Sequence, residues 1–288
     1  MKNYKKGIYF IILSAFCFSL MNLFVKLSGN LPAIQKAFFR NLIALLVAAF
    51  LLWKSHTPFH YQKGNLKLLL ARSLFGTIGI LCNFYAIDHL NLSDASMLNK
   101  LSPFFVIIFS YFFLQEKIKP TQVLCVFLAF IGSLFIIKPS FYFAEIMPSL
   151  LGFAGGMAAG AAYTVVRILG LSSEKSAFIV FFFSSFSCLV TLPYIVFSYT
   201  PMTMQQLFFL LLAGLCASGG QFAITTAYTY APGREISIYD YTIVIFAGIW
   251  SFIFWSETPD LLSIIGYAIV FIASLIMFFH NKTSKAVH

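Results

Sequence analysis

Three ionisable side chains stand inside apolar runs, where no water is at hand to hydrate a charge: Arg40, Lys100 and Asp240. A charge at the centre of a bilayer costs about 2.5–3.5 kcal/mol on insertion scales, so each is a functional candidate by default. Asp240, between Tyr239 and Tyr241, offers a carboxylate to a cationic group, while Lys100 and Arg40 offer cations to a carboxylate. Together they describe a site for a small zwitterion. The same groups also suit a structural bridge from Asp240 to Lys100 or Arg40, or two long cations reaching back to the membrane surface. A buried carboxylate is also what a proton-coupled carrier uses, which makes Asp240 the candidate coupling site.

Aromatic and amide groups extend this constellation. Tyr163, Tyr239 and Tyr241, with Tyr85, Tyr228 and Tyr230 behind them, can present a ring face and a hydroxyl to an organic ligand. Tyrosines also anchor spans at the membrane interface, which is the other reading of each one singly. Asn22, Asn83, Asn99 and Gln221 are amides within apolar runs and need partners, either a ligand or a neighbouring helix. The five cysteines, Cys17, Cys82, Cys125, Cys188 and Cys216, lie in apolar runs without CxxC spacing. They read as small hydrophobes, so neither metal nor cofactor is expected. The sequence holds no HExxH, GxSxG or phosphate-loop motif, which leaves a hydrolase or a nucleotide-driven pump unsupported. A channel would want rings of like groups about an axis, and the chain offers none.

The elements that must position these residues follow from composition. Of 288 residues, 60% are hydrophobic, 18% aromatic and only 10% charged, and the mean hydropathy is +0.89. Soluble chains carry roughly 25% charged residues, so this one is an all-α integral membrane protein whose solvent is lipid. Because ~20 apolar residues cross the hydrocarbon core, cutting at Pro, Gly and charged punctuation predicts ten spans. They are 7–28, 33–52, 67–87, 94–114, 121–138, 148–167, 176–197, 204–229, 235–255 and 261–280. The flank Lys2, Lys5, Lys6 resembles that of a signal peptide, but the run behind it is long and lacks a small-residue cleavage site, so it reads as a retained first span.

The net charge of +10 lies in short loops and tails, which points to anionic lipid rather than nucleic acid. If the N-terminus is inside, one side of the membrane holds Lys2, Lys5, Lys6, Lys54, Lys63, Lys67, Arg72, Lys117, Lys119, Arg167, Lys175, Arg234, Lys282 and Lys285, against Lys26, Lys36 and Lys138 on the other. This bias predicts a cytoplasmic-membrane protein with both termini cytoplasmic. The stretch from Lys54 to Arg72, with His56 and His60, reads as a cytoplasmic loop held by lipid charge.

Sliding the chain by 141 residues brings related pieces together: Lys26 onto Arg167, Gly79 onto Gly220, Asp94 onto Glu235, Asn99 onto Asp240, Ser110 onto Ser251 and Glu116 onto Glu257. Two five-span halves in one chain must cross the membrane in opposite senses, so the prediction is an inverted repeat, residues 1–140 and 141–288. That architecture places a substrate site near the midplane between the halves. Gly152, Gly156 and Gly160 recur every four residues on one face of the sixth span, the pattern of close helix packing. Gly219 and Gly220, with Gly76 and Gly79, are candidate kinks or hinges.

The segment from Ala86 to Pro139, with Ser96, Pro103, Glu116 and Gly132, resembles the second half of an EamA domain of the drug/metabolite transporter superfamily. Phe38-Phe39-Arg40 is similar to an aromatic-Arg feature of the first EamA copy. The C-terminal copy departs from the pattern, with Val244 for Pro103 and Ala273 for Gly132. The resemblance implies a transporter and leaves the substrate open across amino acids, nucleosides, S-adenosylmethionine, sugars and drugs. The combined expectation is a secondary active transporter of an amino acid or related zwitterion such as S-adenosylmethionine, working by alternating access as a monomer. Export of hydrophobic organic cations is the alternative, and a non-transporting scaffold is the alternative from another class.

Overall fold

A computed structural model describes residues 2–55, 62, 64–114, 120–137, 143–172, 174–230 and 237–283. His56, His60, Lys63, Glu116, Lys117, Lys119, Lys138, Pro139, Arg234, Glu235 and Lys285 lie outside the described residues, as do the side chains of Arg167, Tyr228, Tyr230, Ser237 and Lys282. Every regular element described is helical. The order is α1 (Lys2–Leu27), α2 (Ala33–Lys54), α3 (Leu66–His89), α4 (Leu92–Asn99), α5 (Ser102–Leu114), α6 (Pro120–Ile137), α7 (Phe143–Leu171), α8 (Ser176–Ser198), α9 (Met204–Tyr230), a 3-10 turn (Ser237–Tyr241), α10 (Thr242–Trp255) and α11 (Leu261–Thr283). Among the described residues, nine segments are long and apolar enough to cross a membrane, and a shorter tenth covers Tyr239–Trp255.

Two of the ten expected spans are discontinuous. In the fourth, the helix stops at Lys100 and Leu101 and restarts at Ser102. Pro103 accounts for it: without an N–H it cannot donate to the carbonyl of Asn99, so the ladder fails there. The Leu101 amide bonds instead to the Leu98 carbonyl at 3.2 Å, one residue tighter than an α-helix. The ninth span begins as the tighter 3-10 turn and becomes α-helical only from Thr242. Both breaks fall 141 residues apart, where backbone groups freed from the ladder are tolerated because they lie within protein.

Helix packing repeats under exchange of the halves. α1 packs on α9 as α7 packs on α3, and α1 meets α10 as α7 meets α4 and α5. The second spans of the two halves, α2 and α8, pack on each other, and so do the fifth spans, α6 and α11. Such pairing is what an approximate two-fold axis in the membrane plane produces.

Small residues permit these approaches. A Cβ at Gly156 would lie 2.5 Å from the Leu98 carbonyl oxygen, one at Gly160 2.9 Å from that of Ser102, and one at Gly152 3.0 Å from Leu98 Cδ1, so α7 is pressed against the broken span. Gly76 and Gly79 lie inside α3, and Gly219 and Gly220 inside α9, without a break in helix assignment. Gly79 faces Ala159 and Gly220 faces Phe18, residues that are themselves 141 apart, and both glycines are points of close packing.

Candidate functional site

The breaks of the two discontinuous spans meet at the centre of the bundle. Lys100 Nζ donates to Asp240 Oδ2 at 2.5 Å, and Tyr241, buried, donates its hydroxyl to the Lys100 carbonyl at 3.0 Å. Since 100 and 241 are repeat equivalents, the two half-spans are joined to each other at corresponding points. The carbonyl that Tyr241 binds belongs to the residue where α4 ends, one of the groups the break leaves over.

A cavity of about 120 Å³ lies beside this junction. Six of the residues singled out from the sequence line it: Asn22, Arg40, Asn99, Lys100, Tyr163 and Gln221. Asn83, also singled out as an amide, lines it as well. Tyr163 is exposed, 45%, unlike the others, and marks where the cavity meets its surroundings.

Asp240, Tyr239 and Tyr241 do not line this cavity; each is turned to another partner among the described residues. The Asp240 carboxylate is taken up by Lys100, Tyr241 is turned toward the Lys100 carbonyl and the ring of Phe271, and Tyr239 packs with Ile11 and Ala227. Of the two alternatives for Asp240, the bridge to Lys100 is the one formed.

Arg72 was placed by the sequence in a cytoplasmic loop. It sits instead within α3, 9% exposed, over the ring of Phe183 at 4.3 Å and lining the cavity. Its neighbours Lys63 and Lys67 make it look like part of a basic loop, yet it lies within the predicted third span and carries the same signal as Arg40. Phe183, one of many phenylalanines in apolar runs, had no distinguishing signal. Arg40 is buried rather than reaching for the surface, and its Nη1 donates to Asn41 Oδ1 at 2.5 Å.

On the face opposite the N-terminus, here called the distal face, the halves are tied together. Lys26 at the end of α1 donates to both oxygens of Glu257, at 2.9 and 3.3 Å, and to the Leu90 carbonyl at 3.1 Å, and it stands 4.7 Å over the ring of Trp255. Ser251 Oγ donates to Glu257 as well, at 2.8 Å. Glu257 reaches this position because Ser256 ends α10 in a left-handed conformation, φ 53°. Gln35 exchanges two hydrogen bonds with the backbone of Thr200, at 2.9 and 3.0 Å. Within the first half, Lys36 pairs with Asp88 at 2.5 Å.

A ten-span inverted repeat with paired broken helices beside a cavity that carries polar side chains is a transporter's layout, and the family comparison agrees with it. The model of the EamA-like transporter family matches twice, over residues 5–138 and 146–279. The chain belongs to this family. It is 32% identical over 283 residues, 98% of each chain, to the pseudopaline exporter CntI of Pseudomonas aeruginosa. It is also 29% identical over 268 residues to human solute carrier family 35 member G1, covering 88% of this chain and 73% of that one. A solved crystal structure superposes with a TM-score of 0.66 at 14% identity, covering 94% of this chain and 96% of its own, which is a likeness of fold. The EamA match to both halves accords with the inverted repeat, and the resemblance found in the sequence is to the right family.

Proposed function

We propose that the chain is a secondary transporter that moves a small organic metabolite across the cytoplasmic membrane by alternating access of its two halves. The observation that carries this reading is the midplane cavity at the junction of the two broken spans. The Lys26–Glu257 cluster, which joins the halves at the distal face, is not part of its lining, whereas the exposed Tyr163 is. With both termini in the cytoplasm, as the charge bias predicts, this arrangement corresponds to a state closed toward the outside. The likeness to an exporter favours outward movement. Substrate enters beside Tyr163, meets Arg40, Arg72 and the amides, and leaves when the halves rock apart at the distal face. The coupling group best placed at the junction is Asp240, whose partner Lys100 both lines the cavity and holds the two half-spans together.

The experiment is counterflow by the purified protein in proteoliposomes across labelled amino acids, S-adenosylmethionine and organic cations. Selective, saturable flux in wild type is expected, at least tenfold lower in a Lys100→Met/Asp240→Asn double variant that still folds. No flux of any compound under any gradient would favour a scaffold instead.

A further inference from the structure

Arg40 and Arg72 come from successive helices, are 8% and 9% exposed, and line both the main cavity and a second one of about 20 Å³. Nε of Arg40 and Nε and Nη1 of Arg72 are buried with no hydrogen-bond acceptor among the described residues. Among the described residues Arg40 donates to the neutral Asn41 amide, which passes the chain on to Ser187 at 2.8 Å. Among the described residues, the three ion pairs belong to Lys26, Lys36 and Lys100, and no carboxylate meets either guanidinium. Arginine keeps its proton at any physiological pH, so two buried cations stand without a counter-ion among the described residues.

A guanidinium presents its donors as a rigid fork that matches a carboxylate. Buried guanidiniums with donors left over therefore have the form of an anion subsite awaiting its ligand. The same cavity also carries groups of the opposite character: Oδ1 of Asn22, on α1, and Oδ1 of Asn83, about three turns beyond Arg72 on α3, are buried acceptors without donors among the described residues. They call for an N–H. Among the described residues no carboxylate lines the cavity, and Asp240 is held by Lys100, so a hydrophobic cation meets no counter-charge there.

We propose that Arg40 and Arg72 form a carboxylate-binding subsite, and that the transported compound is an anionic amino-carboxylate with its acid group on the two guanidiniums and an N–H toward Asn22 and Asn83. This names the substrate class of the cavity and rests on the transporter reading above.

The test is stabilisation of the purified full chain in detergent by iminodiacetate, succinate, iminodiacetate dimethyl ester and tetraethylammonium, read as a concentration-dependent rise in melting temperature. Iminodiacetate stabilises most, succinate less, and the ester and the cation not at all. Arg72→Gln and Arg40→Gln each weaken iminodiacetate by about 30-fold or more, the effect of removing one side of a buried charge pair, and Arg72→Lys falls between. An equal response to diacid and diester, a stronger response to tetraethylammonium, or no response to either acid overturns the proposal. If the glutamine variants do not fold, the diacid and diester on wild type decide it alone. Carboxylate binding without flux in proteoliposomes would remove the transport reading and leave the subsite standing. Flux of an uncharged or cationic compound unaffected by Arg72→Lys would remove the subsite and leave transport standing.

Discussion

Lys100 and Asp240 bring opposite charges together where both side chains are largely shielded, and they do so at the two positions where the spans lose helical continuity. A buried pair of this kind is costly to split. Removing one partner leaves the other as an uncompensated charge, at a cost of about 3–5 kcal/mol, whereas replacing both by neutral groups of similar shape is close to neutral. Asp240→Asn or Lys100→Met alone is therefore expected to lower the melting temperature by many degrees, and the double variant to recover most of the loss. A double variant as unstable as the sum of the singles would mean that the two side chains act independently. The double variant is also the proper background for asking whether the pair takes part in transport, because the fold survives while both charges are gone. Asp240 Oδ1 has no hydrogen-bond partner among the described residues, so the pair is not closed to a further donor.

The helices were legible wherever apolar length decides the outcome, and α1, α2, α3, α6, α8, α9 and α11 form where long apolar runs were found. The breaks were legible only in part. Pro103 carries a reason for the interruption after Lys100, but its counterpart in the second half is Val244, which has none, and the 3-10 start of the ninth span had to come from the repeat or from packing. Cavity-lining residues were legible where a polar group interrupts an apolar run, as at Asn22, Arg40 and Gln221. Arg72 was misread from its sequence neighbours, and the partners to which Tyr239 and Tyr241 turn carry no signal in the sequence. The glycines separate by what faces them. Gly156→Val pushes a side chain against the Leu98 backbone, which cannot yield without moving α7, and should cost about 1–3 kcal/mol. At Gly219 the nearest atom is Cys17 Sγ at 3.6 Å, an ordinary contact, so Gly219→Ala should be neutral or stabilise α9 by about 0.5–1 kcal/mol. Melting curves of the two variants check both signs. Full flux by Gly219→Ala would also exclude a hinge at that position.

For the whole molecule, alternating access requires that contacts between the halves be stronger on one face in each state, and that they be weak enough to part. The distal contacts meet this condition. Lys26 and Glu257 belong to different halves, and their side chains are 10% and 31% exposed, so the pair is partly screened. It contributes on the order of 1 kcal/mol or less. Lys36 and Asp88 lie on the same face at a similar depth, but both belong to the first half and move together. Loss of the first pair should change the balance between states, and loss of the second should change stability alone. With the five native cysteines replaced by alanine and Ser96→Cys as reporter on α4, labelling by a membrane-impermeant maleimide from the distal side measures that balance. Glu257→Gln should accelerate labelling by up to about fivefold, the population change equivalent to ~1 kcal/mol, because the distal-open state no longer competes with a charged contact in the closed one. Asp88→Asn should lower the melting temperature and leave the labelling rate unchanged. Equal acceleration by both variants would mean that the distal face simply loosens, and that the boundary between moving bodies does not run between Lys26 and Glu257.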